Sequence, residues 1–345
     1  MRFSILIPVY NVEDYVSECL DSVLCQNNTD YEVVIVNDGS TDGSLEICKS
    51  YQRDYPDKIR IISQENKGLL QARRTAIDAA SGDYCLCLDS DDKIRPGALD
   101  VIGNAISSYR SDMVIYQASR EVDYSEPLWT SRWFPDKSDF PMQLPLNEAR
   151  KLLSESYDMN AMWNKAIKRN CIGQGDSYEG YMRLQQSEDL LQICSVLDRV
   201  RTITVLPDIL YFYRPNPKSL CRLVSRKSLK DVLVAREVLA NYVEGWDSSL
   251  LGYVFANTCF EYVAYLMKVY FASDAVETRI EADELLEDGE FDNFFEKADF
   301  SRLASWKKMS VHVLRYGRGR IFSRFLTCFV KAAEVVKGKS LEGYR

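Results

Sequence analysis

The 345-residue chain has one histidine, His312. That scarcity argues against His-based catalysis and against a zinc site built on imidazoles. Its ten cysteines form no CxxC pair and no Cys/His set with zinc spacing. No apolar stretch reaches ~18 residues, so no membrane-spanning helix is expected. No internal repeat or low-complexity segment interrupts the chain. The opening Met1-Arg-Phe-Ser-Ile-Leu-Ile-Pro8 holds only a short apolar run. It reads as a strand, not as the apolar core of a secretory leader, so the thiols are expected to be reduced in a cytoplasm. A net positive balance is confined to the tail. Residues 301–345 hold eleven Lys/Arg against two Asp/Glu, a surplus of +9, which leaves −17 for residues 1–300 out of a net −8. An acidic body argues against nucleic acid as the partner.

What is present begins with Tyr84-Cys-Leu-Cys-Leu-Asp-Ser-Asp-Asp92. A strand-like run, Tyr84–Leu88, ends in three carboxylates, Asp89, Asp91 and Asp92. Packed like charges repel, and carboxylates at a strand end lose hydration unless something neutralises them. A solvated acidic turn meets that need with water. A hard divalent cation, Mn2+ or Mg2+, meets it by taking one or two carboxylates plus the phosphate oxygens of a substrate.

The first hundred residues alternate short apolar runs with helical spacing. Strands are predicted at Phe3–Val9, Tyr31–Val36, Ile59–Ile62, Tyr84–Leu88 and Met113–Tyr116. Helices are predicted at Glu13–Cys25, with Val16, Leu20, Val23 and Leu24 on one side, and at Ser44–Asp54, Gly68–Ala80 and Pro96–Tyr109. This rhythm is that of a parallel sheet covered by helices. Ligands of such sheets lie beyond the carboxyl ends of the strands. The loops at 8–12, 37–43 and 89–92 are therefore expected along one edge. Residues 120–145 read as irregular, with Trp129, Trp133, Phe134 and Phe140, either an acceptor-side loop or a surface excursion packed by its own aromatics. A helix over Asn147–Ser156, an ordered segment Met162–Lys168, a helix Ser187–Leu197 and two strands, Ile203–Leu206 and Ile209–Tyr213, follow. After about 225 the chain reads as mostly helical.

Two loops carry chemistry besides the acidic run. In Asn37-Asp-Gly-Ser-Thr-Asp-Gly-Ser44, Asp38 can accept a hydrogen bond from a base or ribose, Gly39 allows close backbone approach, and Thr41 or Asp42 caps the next helix. Read alone, this is a capped turn. In Asn66-Lys-Gly-Leu-Leu-Gln-Ala-Arg-Arg74, a helix opens with a glycine and two cations. That is a favourable place for a diphosphate, or simply a basic exposed face.

Together, Ser4-Ile-Leu-Ile-Pro-Val-Tyr-Asn11, Val36-Asn-Asp-Gly-Ser-Thr-Asp42, Asn66-Lys-Gly-Leu with Ala72-Arg73, and Leu88-Asp-Ser-Asp-Asp92 closely resemble family 2 glycosyltransferases of bacterial polysaccharide type. The likeness is tight to about residue 120. It continues loosely through Met162-Trp-Asn-Lys165, Glu188-Asp189-Leu-Leu191 and Tyr211-Phe-Tyr-Arg214. The resemblance implies an α/β fold of GT-A (Rossmann-like) type, a mixed sheet flanked by helices. A catalytic domain would span 1–225 and a helical C-terminal extension 226–345. It also implies a nucleotide-sugar donor and Mn2+ or Mg2+. Carried over by position, Pro8 and Tyr10 would line the base pocket and Asp38 would bond the base. Gly68 and Arg73 would face the diphosphate. Asp89 and Ser90 would reach the ribose side, and Asp91, with Asp92 competing, would hold the metal. Asp189, beside Glu188, matches the family's catalytic base. Arg74 departs from the family where Asn is common, and Ser187 where Gly is common, which bears on phosphate contacts and on the loop before the base.

One base and no evident covalent nucleophile suggest a single inverting displacement onto a saccharide or lipid-linked saccharide hydroxyl. A sugar nucleotidyltransferase is the rival enzyme. It would show a Gly-rich, Arg/Lys-bearing loop after the first strand, and Val9-Tyr-Asn-Val12 has neither. A catalytically silent donor-binding paralogue is disfavoured by intact Asp91 and Asp189. The basic tail either docks on an anionic membrane surface, or packs its apolar side on the acidic body or on a second subunit. The expected location is the cytoplasm, with peripheral contact at the inner face of the membrane.

Overall fold

The computed structural model describes the chain except residues 28–29, 129–140, 157–158, 182–183, 185, 217–223 and 338–345, and the side chains of 331–337. The aromatics Trp129, Trp133, Phe134 and Phe140 lie outside the described residues. The chain divides into two units, Met1–Arg150 with Asp158–Asn216, and Lys151–Tyr157 with Pro217–Arg345.

The first unit is built on one sheet. Its strands are β1 (Phe3–Val9), β2 (Tyr31–Asp38), β3 (Ile59–Gln64), β4 (Tyr84–Cys87), β5 (Lys93–Ile94), β6 (Met113–Ser119), β7 (Met142–Leu144), β8 (Lys165–Lys168) and β9 (Ile203–Phe212). Their order is β3-β2-β1-β4-β8-β6-β9-β5, with β7 on the far side of β9. Every residue of β1 and β2 is buried. Near-continuous apolar runs of this kind suit central parallel strands covered on both faces. The helices are α1 (Val16–Leu24), α2 (Ser44–Asp54), α3 (Leu69–Ala79), α4 (Ala98–Tyr109) and α6 (Glu188–Arg199), while α5 (Leu146–Glu155) begins in this unit and belongs to the second from Lys151 on.

The sheet is mixed, not all-parallel. β1 to β4 run parallel, whereas β8 is antiparallel to both β4 and β6, and β6 and β9 run parallel to each other. The carboxyl ends of β1, β2, β4, β6 and β9 therefore share one edge, and β8 starts there. The two strands expected at 203–206 and 209–213 are one strand. The irregularity near Pro207 is absorbed as a shift of register where Gln117 pairs with Ile209. A bulge of this type bends a strand without ending it.

Hydrogen bonds cross-link the loops of that edge. Thr41 N donates to Asn11 Oδ1 at 2.8 Å, Glu13 N to Asp42 Oδ2 at 3.1 Å, and Gly43 N to Glu13 Oε2 at 2.6 Å. Gly39 has φ 74°, and a Cβ there would stand 2.8 Å from Asn66 N.

The second unit is helical: α7 (Arg226–Asp247), α8 (Leu251–Ala272), α9 (Ala275–Leu285), α10 (Glu290–Lys297) and α11 (Ser305–Lys337). Its core includes Val263, Leu266, Phe291, Val311, Leu314, Phe322 and Leu326. The apolar side of the tail is thus largely spent inside this unit, which answers part of the question left by the sequence. α11 is broken at Arg318 (φ 44°, ψ −163°), where Gly319 N donates to Asp283 Oδ1 of α9 at 2.8 Å. A side chain at 319 would collide with the Arg279 carbonyl. Among the described residues no helix is long and apolar enough to cross a membrane.

Gly39→Ala is expected to destabilise the first unit by about 1–2 kcal/mol, since it combines a left-handed backbone with a backbone clash. Denaturant unfolding of the two proteins, with equal m-values, checks this; an unchanged midpoint would contradict the loop packing.

Candidate active site

Arg73 is the centre of the site. It sits on the first turns of α3, its side chain is 1% exposed, and it meets three carboxylates. Nη2 lies 3.1 Å from Asp89 Oδ1, just past the end of β4. Nη1 lies 2.5 Å from Asp189 Oδ1 and 3.7 Å from Glu188 Oε1, both on the first turn of α6. Burial works against the guanidinium charge, but Asp189 and Asp89 overcome it and hold its pKa well above the usual range. Arg73, which the resemblance sets facing the diphosphate, is buried among carboxylates, because three acids gathered away from water need a cation between them.

The acidic run is resolved residue by residue. Asp89 is a quarter exposed, and burial pushes its carboxyl up to about 6 against the pull of Arg73. Its backbone N–H donates to the Tyr211 hydroxyl at 3.2 Å. Ser90 is buried. Asp91 Oδ2 accepts from Asn216 Nδ2 at 3.0 Å, and its carbonyl accepts from Arg214 Nε at 2.7 Å. Asp92 is 2% exposed. Its Oδ2 accepts from Tyr211 Oη at 2.7 Å and its Oδ1 from Arg214 N at 2.8 Å. Burial, then the charges of Asp89 and Asp91, push it up to about 8. Both oxygens of Asp92 are therefore engaged within the protein. Asp89 Oδ2 and Asp91 Oδ1 have no hydrogen-bond partner among the described residues.

Asp189 is held from two sides, since its Oδ2 accepts from Met162 N at 3.0 Å. The loop bearing Met162 is clamped in turn. Trp163 packs at a tilt against Tyr211 and Tyr213, with ring centroids 4.8 and 5.4 Å away. Its carbonyl accepts from Tyr116 Oη at 2.9 Å. Buried Lys165 donates to Asn164 Oδ1 at 2.7 Å and to the Ala161 carbonyl. Burial, partly offset by Asp189, lowers Lys165 from 10.5 to about 7. Burial and the Asp189 charge raise Glu188.

Along the same edge, Pro8 is buried as the penultimate residue of β1 and Tyr10 is half exposed. Asp38 is 3% exposed. It accepts from Gln64 Nε2 at 2.7 Å and from the backbone N–H groups of Lys67 at 3.0 Å and Gly68 at 2.8 Å. It thus fastens the entrance of α3, the helix that carries Arg73. Arg74 does not belong to the site. Its guanidinium bonds the carbonyls of Ile172 and Gly173 and faces the Tyr178 ring at 5.1 Å. Consecutive helical residues point about 100° apart, so Arg73 and Arg74 serve different neighbours. Ser187, expected to disturb the loop, has φ 64° and ψ 18°, a conformation that glycine adopts without steric cost.

The edge of the sheet therefore gathers an acidic strand end, a buried arginine and a second acidic pair on a helix start. Residues 4–170 match the model of glycosyl transferase family 2. The chain belongs to glycosyl transferase family 2. It is similar to the glycosyltransferase GlyA of Streptococcus pneumoniae serotype 4, at 31% identity over 249 residues, 70% of this chain and 35% of GlyA. It is also similar to a chondroitin synthase of Escherichia coli, at 39% identity over 195 residues, 53% of this chain and 26% of that one. The chain thus spans about a third and about a quarter of these two relatives. Among solved structures, S. aureus TarS 1–349 in complex with UDP-GlcNAc aligns at a TM-score of 0.65 and 21% identity, covering 96% of this chain and 92% of that one. That likeness shows the fold, the GT-A architecture expected from the motifs.

Tyr211, Arg214, Asn216 and the Met162 N–H were given no role from the sequence. Two of the loosely matching segments contain Tyr211, Arg214 and Met162. A polar residue following a buried strand, at the same sheet edge as the acidic run, was the available signal.

Two outcomes follow for this family 2 chain. Ser187→Gly removes a left-handed non-glycine residue and is expected to raise stability by about 0.5–1 kcal/mol, measured by thermal unfolding. Lys165 binds a proton more weakly folded than unfolded, so its contribution to stability rises as pH climbs from about 7 towards 10.5. One proton gives a slope of up to about 1.4 kcal/mol per pH unit. Lys165→Met should flatten that slope relative to the parent, and parallel stability curves from pH 7 to 10 would contradict it.

Proposed function

We propose that this chain transfers a sugar from a nucleoside-diphosphate donor, a UDP-sugar, to a hydroxyl of a saccharide or lipid-linked saccharide, with inversion. The reading assumes action in the cytoplasm, at the inner face of a membrane. The observation that carries it is the convergence on Arg73 of Asp89, from the β4 end, with Glu188 and Asp189, about a hundred residues later. Family membership supports the reaction class, and the named activity of the chondroitin synthase supports a saccharide acceptor.

The donor half draws on the edge formed by β1, β2 and β4. Pro8 and Tyr10 offer an apolar wall to the base. Asp38, already bonded by three donors, holds the Gly68 turn in place, and its remaining lone pairs can accept from the base. Ser90 stands beside Asp89 on the ribose side. The open oxygens of Asp89 and Asp91 fit a Mg2+ or Mn2+ ion that keeps other positions for phosphate and water. Asp92 braces that corner through Tyr211 and Arg214. A bound ion would supply positive charge next to the departing diphosphate.

At the acceptor, a hydroxyl is a poor nucleophile until a carboxylate takes its proton as the new C–O bond forms. Asp189 is the proposed base. Arg73 and the Met162 N–H fix its orientation, and each carboxylate oxygen retains a lone pair. The bond from the anomeric carbon to the diphosphate oxygen breaks as the acceptor oxygen adds from the opposite face. Arg73 keeps the surrounding acids from repelling one another during that change. One observation favours a second assignment of the base: Glu188 is raised towards the range in which proton uptake at neutral pH is efficient.

Asp189→Asn should lower kcat by at least about 10²-fold, the scale of lost general-base catalysis, with little change in donor affinity. Steady-state transfer or hydrolysis of UDP-sugars with Mn2+, together with calorimetric UDP binding, measures both. Full turnover in Asp189→Asn with loss in Glu188→Gln would move the base to Glu188. No turnover of any nucleotide sugar by the parent chain would remove the transferase reading.

A further inference from the structure

The geometry points to the break in α11 as a docking surface for an anionic lipid bilayer. Among the described residues of the tail, Val311, Leu314, Phe322 and Leu326 are buried in the core of the helical unit, with Trp306, Val313 and Phe325 packed against it, but the break leaves a different set outside. Tyr316 is 74% exposed and Ile321 is 56% exposed, one on each side of Arg318. Gly319 rests on α9 through Asp283, and α9 itself exposes Val276 (65%) and Ile280 (48%), one turn apart. These four are among the largest apolar exposures of the described residues. Scattered single exposures need no explanation, but four on two touching helices do.

Charge selects the partner. Arg318, Arg320 and Arg324 are exposed and form no ion pair among the described residues. Glu277, beside Val276, is exposed and forms no ion pair among the described residues, but the acids of the next turns of α9 are engaged. Glu281 and Glu284 bind Arg226, at 2.7 Å for Glu281, and Asp283 takes Gly319 N and lies 3.9 Å from Arg279. Three uncompensated guanidinium groups stand within seven residues of sequence around Tyr316 and Ile321. Guanidinium matches phosphate geometry, tyrosine suits the headgroup level, and isoleucine suits the acyl boundary just below. The surplus of +9 in residues 301–345 acts in the same direction. The surface is distinct from the sugar-transfer site, and the inference does not depend on that reaction.

The test is co-sedimentation of the full chain, without donor or metal, with vesicles of phosphatidylcholine alone or with 30 mol% phosphatidylglycerol (about a physiological anionic load). Binding to the anionic vesicles only, weakened by salt, is expected. Arg320→Glu/Arg324→Glu should cut binding at least about ten-fold at low salt, and Tyr316→Ser/Ile321→Ser should cut it at high salt too. Both pairs are exposed, and matched circular dichroism and melting curves establish that the variants fold. Three results would overturn the proposal: no sedimentation with anionic vesicles at low salt, variants that sediment like the parent, or a dimer in light scattering that Tyr316→Ser/Ile321→Ser converts to monomer. The last would make this a surface between two copies of the chain.

Discussion

Everything at the sheet edge depends on one buried guanidinium. Arg73 neutralises carboxylates contributed by β4 and by α6, and without it they would repel one another inside a weakly solvated pocket. A buried arginine with no acid partner would be equally costly. The ion pairs therefore specify an arrangement more than they add stability. They require α3, the β4 end and the start of α6 to be present together. Asp38 secures the entry to α3 and the Met162 N–H secures Asp189, so the cation is fixed at both ends of its reach.

Much of this was legible in the sequence for a simple reason. Strands and their terminal loops carry local signals, and parallel topology brings loop ends to one edge whatever the details. The runs at Phe3–Val9 and Tyr84–Leu88 and the helix Ser44–Asp54 needed only apolar periodicity. The acidic residues stood out because carboxylates ending a buried strand are energetically odd. Which of them is open was not legible. Asp91 and Asp92 are adjacent and alike in sequence, and only β9, 119 residues on, distinguishes them by placing Tyr211 against Asp92.

The same limit explains the arginines. Arg73 and Arg74 look like one basic patch in sequence. Helical geometry sends one to the acids and the other to the Ile172 and Gly173 carbonyls. The mixed strand order and the continuity of β9 through Pro207 were equally hidden, since β8 is short and its direction is set by its partners. The tail was ambiguous in a related way. Interleaved basic and apolar residues fit either a membrane surface or a packed side, and Val311, Leu314, Phe322 and Leu326 face a core. Two glycines and a reversed φ at Arg318 interrupt the periodicity, and that interruption decides which side chains stay outside.

The stapling of the acidic corner by Tyr211, Arg214 and Asn216 has a consequence for the order of events during synthesis. These bonds span 119 to 125 positions of sequence. Contacts of such separation form late, after the intervening chain has been laid down. The first four strands can pair while the ribosome is still making the rest, and they already display Asp89, Asp91 and Asp92. Until residue 216 has emerged and β9 has docked, those acids lack the partners that shape them. A nascent or truncated chain ending before that point would own the acidic residues without owning the corner.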